Sequence, residues 1–184
     1  MQTTGSVTRL LEAWRDGEPG AADRLFTLVY DDLRLLARRQ LGRVKPGQSL
    51  APTALVHETY LKFAERAAPD AVNRLHFLSL AARAMRHIVI DHLRRRRSKK
   101  RDGGVRVPLE SGAAAIDRSP IDLLAMDDAL TALERLDPRQ ARVVELRFFA
   151  GLELKEIAAM FDTSERTIKR DWQKARAFLQ AALG

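Results

Sequence analysis

Residues 72–97 read VNRLHFLSLAARAMRHIVIDHLRRRR, and the fold turns on how that stretch is spaced. Its apolar residues Leu75, Leu78, Ala82, Met85 and Val89 recur three and four apart, the period of a helix that buries one stripe. Arg83, Arg86, Arg94 and Arg97 fall within about an 80° arc, clear of that stripe, at ~100° per residue. One helix is therefore expected to pack on one face and to show a row of guanidinium groups on another. From Arg83 to Arg101 there are nine basic residues and one acid, Asp91, and that +8 equals the net charge of the whole chain. Charge focused in this way points to a polyanion, most often nucleic acid. A solvated helix end with a basic tail is the plainer alternative.

On either side the same period recurs. Ser6 to Arg15 reads as a helix, with Val7, Leu10, Leu11 and Trp14 in register, and Gly17-Glu18-Pro19-Gly20 breaks it. Ala21 to Leu41 reads as one longer amphipathic helix, and residues 42–51 as a loop. Pro52 suits the first turn of a helix running to about Arg66. Residues 98–119 are rich in Lys, Gly, Ser, Ala and Asp without sustained period. They are expected to form a flexible linker that reaches roughly 70–80 Å when stretched. Beyond it helices are expected from Pro120 to Arg135, from Asp137-Pro138 onward, over Glu153–Phe161 and over Ser164–Ala182. The expected architecture is all-α, with helical domains at 1–97 and 120–184 joined by the linker at 98–119.

Composition narrows the chemistry. There is no cysteine in 184 residues, which removes disulfides, zinc-thiolate sites and cysteine nucleophiles and suits a reducing compartment. The first residues carry neither a basic nor an apolar signal segment, and no apolar run approaches the ~18 residues of a membrane span. A cytoplasmic protein without membrane attachment is expected. Residues 1–97 carry 17 Lys/Arg against 10 Asp/Glu, residues 120–162 carry five against nine, and residues 163–184 carry five against two.

That last contrast frames a helix-turn-helix over Glu153–Leu179. Phe161-Asp162-Thr163-Ser164 reads as its turn, where Asp tolerates a left-handed backbone better than most residues, and Ser164 or Thr163 can cap the second helix. In that helix Ile168, Trp172, Ala175 and Leu179 form a packing seam. Arg166, Lys169, Arg170 and Gln173 fall within about a 100° arc elsewhere on the cylinder. Together with Thr167 and Lys174 they are the candidate contacts to a DNA major groove. A surface helical hairpin without a DNA role is the plainer alternative.

Two blocks of sequence resemble the bacterial sigma-70 family, in its small extracytoplasmic-function (ECF) group. Leu55-Val56-His57-Glu58-Thr59-Tyr60-Leu61-Lys62 is similar to that family's region 2.2, and Phe77 to Arg97, with Ala81-Ala82-Arg83 and Ile90-Asp91-His92-Leu93-Arg94-Arg95, to regions 2.3 and 2.4. Leu136-Asp137-Pro138-Arg139-Gln140, Leu146-Arg147-Phe148, Leu154-Lys155-Glu156-Ile157-Ala158 and Thr167-Ile168-Lys169 resemble region 4. The resemblance implies a factor that joins core RNA polymerase and directs promoter recognition, DNA opening and initiation. It implies that Thr53, Val56, His57, Glu58, Leu61 and Lys62 dock on polymerase. Arg83, Arg86, Arg94 and Arg97 would then hold −10 DNA, and the last helix would read the −35 duplex. An extruded base would enter a pocket in the loop before the arginine helix. Asn73 is either the hydrogen-bonding group of that pocket or simply a helix N-cap.

Two departures stand out against that resemblance. Ala51, Pro52, Thr53 and Ala54 lack the acids that family members usually carry there. Since some resembling members are linked to Ser/Thr kinases, phosphorylation of Thr53 is expected to restore the missing charge, and a kinase is a candidate partner. In Arg170-Asp171-Trp172, Asp171 is expected to bring a negative charge near the DNA face.

No catalytic constellation appears. His57-Glu58 has Leu61 where a zinc-protease helix needs its second His, and His87 and His92 point about 140° apart. No phosphate-binding loop or Gly-x-Ser-x-Gly elbow occurs, and Asp127 and Asp128 read as solvating or capping carboxylates. Neither a metal nor a cofactor is expected, and the chain does not read as an enzyme. The competing functional reading is a stand-alone helix-turn-helix regulator that never joins polymerase.

Overall fold

The computed structural model describes residues 2–44, 50–65, 67–102 and 123–184, and every regular element among them is helical. The first group comprises α1 (Gln2–Arg15), α2 (Ala21–Leu28), α3 (Tyr30–Leu41), α4 (Pro52–Ala64) and α5 (Arg74–Asp102). The second comprises α6 (Leu123–Leu136), α7 (Pro138–Val144), a π turn (Glu145–Phe149), α8 (Leu154–Met160) and α9 (Glu165–Leu183).

Local chemistry sets most boundaries. Gly17 and Gly20 take φ of 79° and 76° between α1 and α2, a left-handed backbone that glycine adopts without strain. The single helix expected over Ala21–Leu41 is two helices. Val29, at φ −105° and ψ 13°, separates α2 from α3, and its side chain is fully buried, so the bend turns both apolar faces onto one core. The sequence period cannot show such a one-residue break, because the apolar stripe continues through it. Pro52 opens α4 as expected, which closes at Ala64. The arginine helix continues to Asp102, so the expected boundary at residue 97 falls inside α5. The rest of the expected linker, and residues 120–122 of the helix expected to follow it, lie outside the described residues.

The first group packs around aromatic rings. Phe77 is fully buried and meets Phe26 edge-on at 5.5 Å; Phe63 lies 5.7 Å from Phe77 and 5.9 Å from Phe26. Such offset contacts suit the ring quadrupoles and add to area burial. Two buried polar groups inside this core are satisfied: Gln40 Nε2 donates to the Ala82 carbonyl at 2.8 Å, and Thr59 Oγ1 to that of Leu55 at 2.7 Å. In the second group Ile157, Ile168 and Ala175 are fully buried, with Leu130 and Leu146 nearly so.

The two groups pack on each other: α5 meets α6 and the π turn, and α3 also meets the π turn. At that turn the Ala150 amide bonds the Glu145 carbonyl at 3.1 Å, five residues back. The widened turn carries both Glu145 and Phe149 to α5. Gly151, at φ 75°, follows directly, and a Cβ there would lie 2.7 Å from Nη1 of Arg39 on α3. A side chain at 151 would push the flexible Arg39 head aside, and the left-handed backbone at φ 75° is what favours glycine there.

Candidate nucleic-acid interface

The helix-turn-helix expected near the C-terminus is formed by α8 and α9. Asp162 turns the chain at φ 47°, a left-handed conformation that Asp adopts more readily than bulkier residues. Ser164 caps α9, its Oγ accepting from the Thr167 amide at 3.2 Å, and Glu165 sits in the first turn, where the helix dipole favours an anion. Ile168, Ala175 and Leu179 are buried and Trp172 is half-buried. The fourth buried seam residue is Asp171, 8% exposed, accepting a 2.8 Å bond from Arg139 Nε on α7. Here the sequence reading is corrected: Asp171 neutralises a cation inside the second group and does not face outward with the basic row.

That row stands free of the seam. Arg166, Lys169, Arg170, Gln173 and Lys174 are exposed and Thr167 is half-buried; Arg166, Thr167, Lys169, Arg170 and Gln173 border one open concavity. Lysine and arginine heads on one exposed flank of a helix supply donors for phosphates and base edges.

The arginine row of α5 lies elsewhere than expected. Arg86 is 5% exposed, with Nη1 3.5 Å from Asp127 and Nη2 3.3 Å from Glu145, and its guanidinium carbon lies 5.4 Å from the Phe149 ring centroid. Arg83 meets Glu134 at 3.3 Å and Glu145 at 3.4 Å; Arg94 meets Asp127 and Asp128, each at 3.2 Å. The expectation of an outward row of guanidinium groups is thus corrected at Arg86 and qualified at Arg83 and Arg94, because carboxylates of the second group stand against them. Arg97 is exposed. Asp127, expected to be a solvating or capping acid, is instead 7% exposed and bridges Arg86 and Arg94. No local pattern marks Asp127 or Glu145 as a site residue; the excess of acids over residues 120–162 is the signal that the sequence carries.

Asn73 caps α5. Its Oδ1 accepts from the His76 amide at 2.9 Å, and its carbonyl from that of Phe77 at 2.9 Å. The capping alternative accounts for this side chain, which does not line the cavity beside the loop. That cavity is bordered by Lys62, Phe63, Ala67, Pro69, Leu80, Arg83, Ala84 and His87. His87 Nε2 lies 3.0 Å from Arg86 Nη2, and burial, then Arg86 and Arg83, push its pKa below the usual histidine range.

On α4, Thr53, His57, Glu58 and Leu61 face solvent, Leu61 being 42% exposed. Val56, at 4% exposure, is mostly in the core and reaches the surface only at the floor of a concavity beside Thr53 and His57. Lys62 is half-buried, 3.9 Å from Asp91. Thr53, Val56 and His57 edge this second concavity, which they share with Asp23, Phe26, Thr27, Tyr30 and Tyr60. There the Tyr60 hydroxyl donates to Asp23 at 2.5 Å, and that bond to an anion raises the phenol's pKa. Among the described residues no three His, Asp or Glu side chains group to hold a metal ion, and no helix is long and apolar enough to cross a membrane.

Comparison with known proteins agrees with this arrangement. A family model described as "ECF sigma factor" matches residues 4–184. ECF RNA polymerase sigma factor BldN of Streptomyces coelicolor is 28% identical over 169 residues, or 88% of this chain. The chain spans 61% of the length of that relative.

Proposed function

Since the chain belongs to the ECF sigma factor family, we propose that it joins core RNA polymerase and directs it to promoters, each helical group holding a separate stretch of DNA. The observation that carries this reading is the exposed basic flank of α9, set beyond a capped helix-turn-helix and bordering its own concavity. Arg166, Lys169, Arg170, Gln173 and Lys174, with Thr167, would enter the −35 major groove. Their long donors would reach base edges while the helix N-terminus approaches phosphate. Arg83, Arg86, Arg94 and Arg97 would hold the −10 strand once uncovered. The cavity beside the α4–α5 loop suits an extruded base, with Phe63 for stacking and Lys62 and Arg83 for the backbone.

Polymerase docking would use the outer face of α4: Thr53, His57, Glu58, Leu61 and Lys62. A stand-alone regulator would leave this face, with Leu61 bared, without a task. Thr53 lies in the first turn of α4, which has no acid of its own. A phosphate there would add about −1.5 to −2 charge at the favourable dipole end, so a Ser/Thr kinase is proposed as the activating partner.

The test is run-off transcription with core polymerase and purified protein on a defined promoter, beside co-purification with core. The reading requires initiation that depends on the protein and is lost in Arg166→Gln/Lys169→Gln. Leu61→Asp should lose co-purification. DNA binding with neither initiation nor core association would instead establish the stand-alone regulator. Thr53→Glu should raise core affinity over Thr53→Ala; equal affinities of these and of phosphorylated protein would remove the kinase from the scheme.

A further inference from the structure

We infer that His87 tells bases apart in the cavity beside the α4–α5 loop, offering one ring N–H to a keto oxygen and so selecting thymine over cytosine and adenine. This deepens the reading of that cavity as the seat of an extruded base, and rests on it. The cavity holds about 370 Å³, within the range of small-ligand pockets. Its border divides by chemistry. Phe63, Leu80 and Ala84 are among its apolar members, and Lys62, Arg83 and His87 carry its polar side-chain atoms. Lysine and arginine side chains only donate. Asp91, Glu134 and Glu145, which pair with those two cations, are not among the bordering residues.

Residue type leaves the role of His87 open, and its neighbour fixes it. His87 Nε2 lies 3.0 Å from Nη2 of Arg86. A guanidinium keeps its protons in proteins and has no acceptor, so Arg86 donates and His87 Nε2 is bare. In the neutral imidazole the proton then sits on Nδ1. Burial first, then the charges of Arg86 and Arg83, hold the ring in that neutral form by lowering its pKa. Nδ1–H is the polar atom the ring has left to offer, so every polar side chain on the described border donates. A base enters such a cavity with the edge away from its sugar leading. That edge carries O4 and the methyl group in thymine and O6 in guanine, but an amine in cytosine and adenine. A keto oxygen accepts from Nδ1–H, whereas an amine meets a donor and loses its water without a partner. Leu80 and Ala84 suit the thymine methyl. Guanine shares the keto group but lacks the methyl and brings an amine of its own.

The probes are short fluorescein-labelled single strands, abasic except for one central nucleotide. Their affinity is measured at low salt on the full-length protein, free and with core RNA polymerase. A central thymine should bind about tenfold tighter than cytosine or adenine, with guanine between. Uracil should bind about two- to fourfold more weakly than thymine for want of the methyl. His87→Leu should erase the thymine preference while a central base still binds better than the wholly abasic strand. Each ratio compares strands on one protein, so a change in folded fraction cancels. Independently of DNA, nitrogen NMR of the four histidines, with His87 assigned by its loss in His87→Leu, should show that ring neutral and protonated on Nδ1. Equal binding of the four bases, a preference for an amine-bearing base, a thymine preference that survives His87→Leu, or a proton on Nε2 each overturns the inference. Binding no tighter than the abasic strand for every base overturns instead the reading of the cavity as a base seat.

Discussion

Asp171 gives the sharpest contrast between a charge near DNA and a charge inside a fold. Its carboxylate is 8% exposed and takes one 2.8 Å charge-assisted bond from Arg139, whose side chain is 43% exposed. Breaking a fully buried pair costs about 3–5 kcal/mol, whereas exposed pairs contribute about 0.2–1 kcal/mol. Here the arginine can turn to water and keep its position over Phe161, 5.4 Å from the ring centroid. Asp171→Asn should therefore destabilise by about 1–2 kcal/mol, a loss of roughly 3–6 °C for a chain of this length. Trp14 and Trp172 are the two tryptophans, so a Trp14→Phe background leaves one fluorophore next to the altered residue. Urea unfolding followed by that signal, with duplex-DNA affinity measured across a salt series, separates the two situations. The expected pairing is a clear stability loss with affinity within about twofold of wild type. Stability unchanged within about 0.5 kcal/mol, together with about tenfold tighter DNA binding, would place the carboxylate against phosphate and refute the burial argument.

Three further outcomes follow from the same contacts. Asn73→Ala should cost about 1 kcal/mol by loss of the α5 cap, and Asn73→Asp should recover most of it in thermal unfolding; a DNA-affinity loss without a stability loss would give Asn73 a base contact instead. Arg166→Gln, Lys169→Gln and Lys174→Gln should each flatten the log K against log salt slope of duplex binding by about one where a phosphate contact is lost. His76 is lowered by burial and then by Arg142, and His87 by burial and then by Arg86 and Arg83. Both hold fewer protons folded than unfolded, so stability rises with pH towards the unfolded histidine value of about 6.5 and declines as pH falls below it. Denaturant midpoints at pH 7.5 and 5.5 should show that decline, and His76→Gln/His87→Gln should flatten it.

Much of this molecule was legible because its signals are local. Apolar period set the helices, Asp137 and Pro138 opened α7 with the Gln140 amide bonded to the carboxylate at 3.0 Å, and Ser164 capped α9. What escaped depends on neighbours distant in sequence. The break at Val29 and the π turn at Glu145–Phe149 leave the apolar pattern unbroken, so periodicity passes over both. Asp171 could be placed on the α9 cylinder from its register, but whether that angle meets solvent or Arg139 is decided by α7.

The arginine row of α5 shows the same limit most plainly. Helical geometry fixed the arc on which Arg83, Arg86 and Arg94 project, and the charge count located an acidic block over residues 120–162. Each fact was visible alone, and each pointed outward: cations to DNA, acids to solvent. The structure brings them together through Asp127 and Glu145. A basic helix and an acidic block in one chain have two ways to be neutralised, by an external polyanion or by each other. Helix periodicity cannot choose between them, since it gives the angle of a side chain and not what stands opposite. In the structure it is the acidic block that stands opposite, 3.2–3.5 Å from Arg83, Arg86 and Arg94.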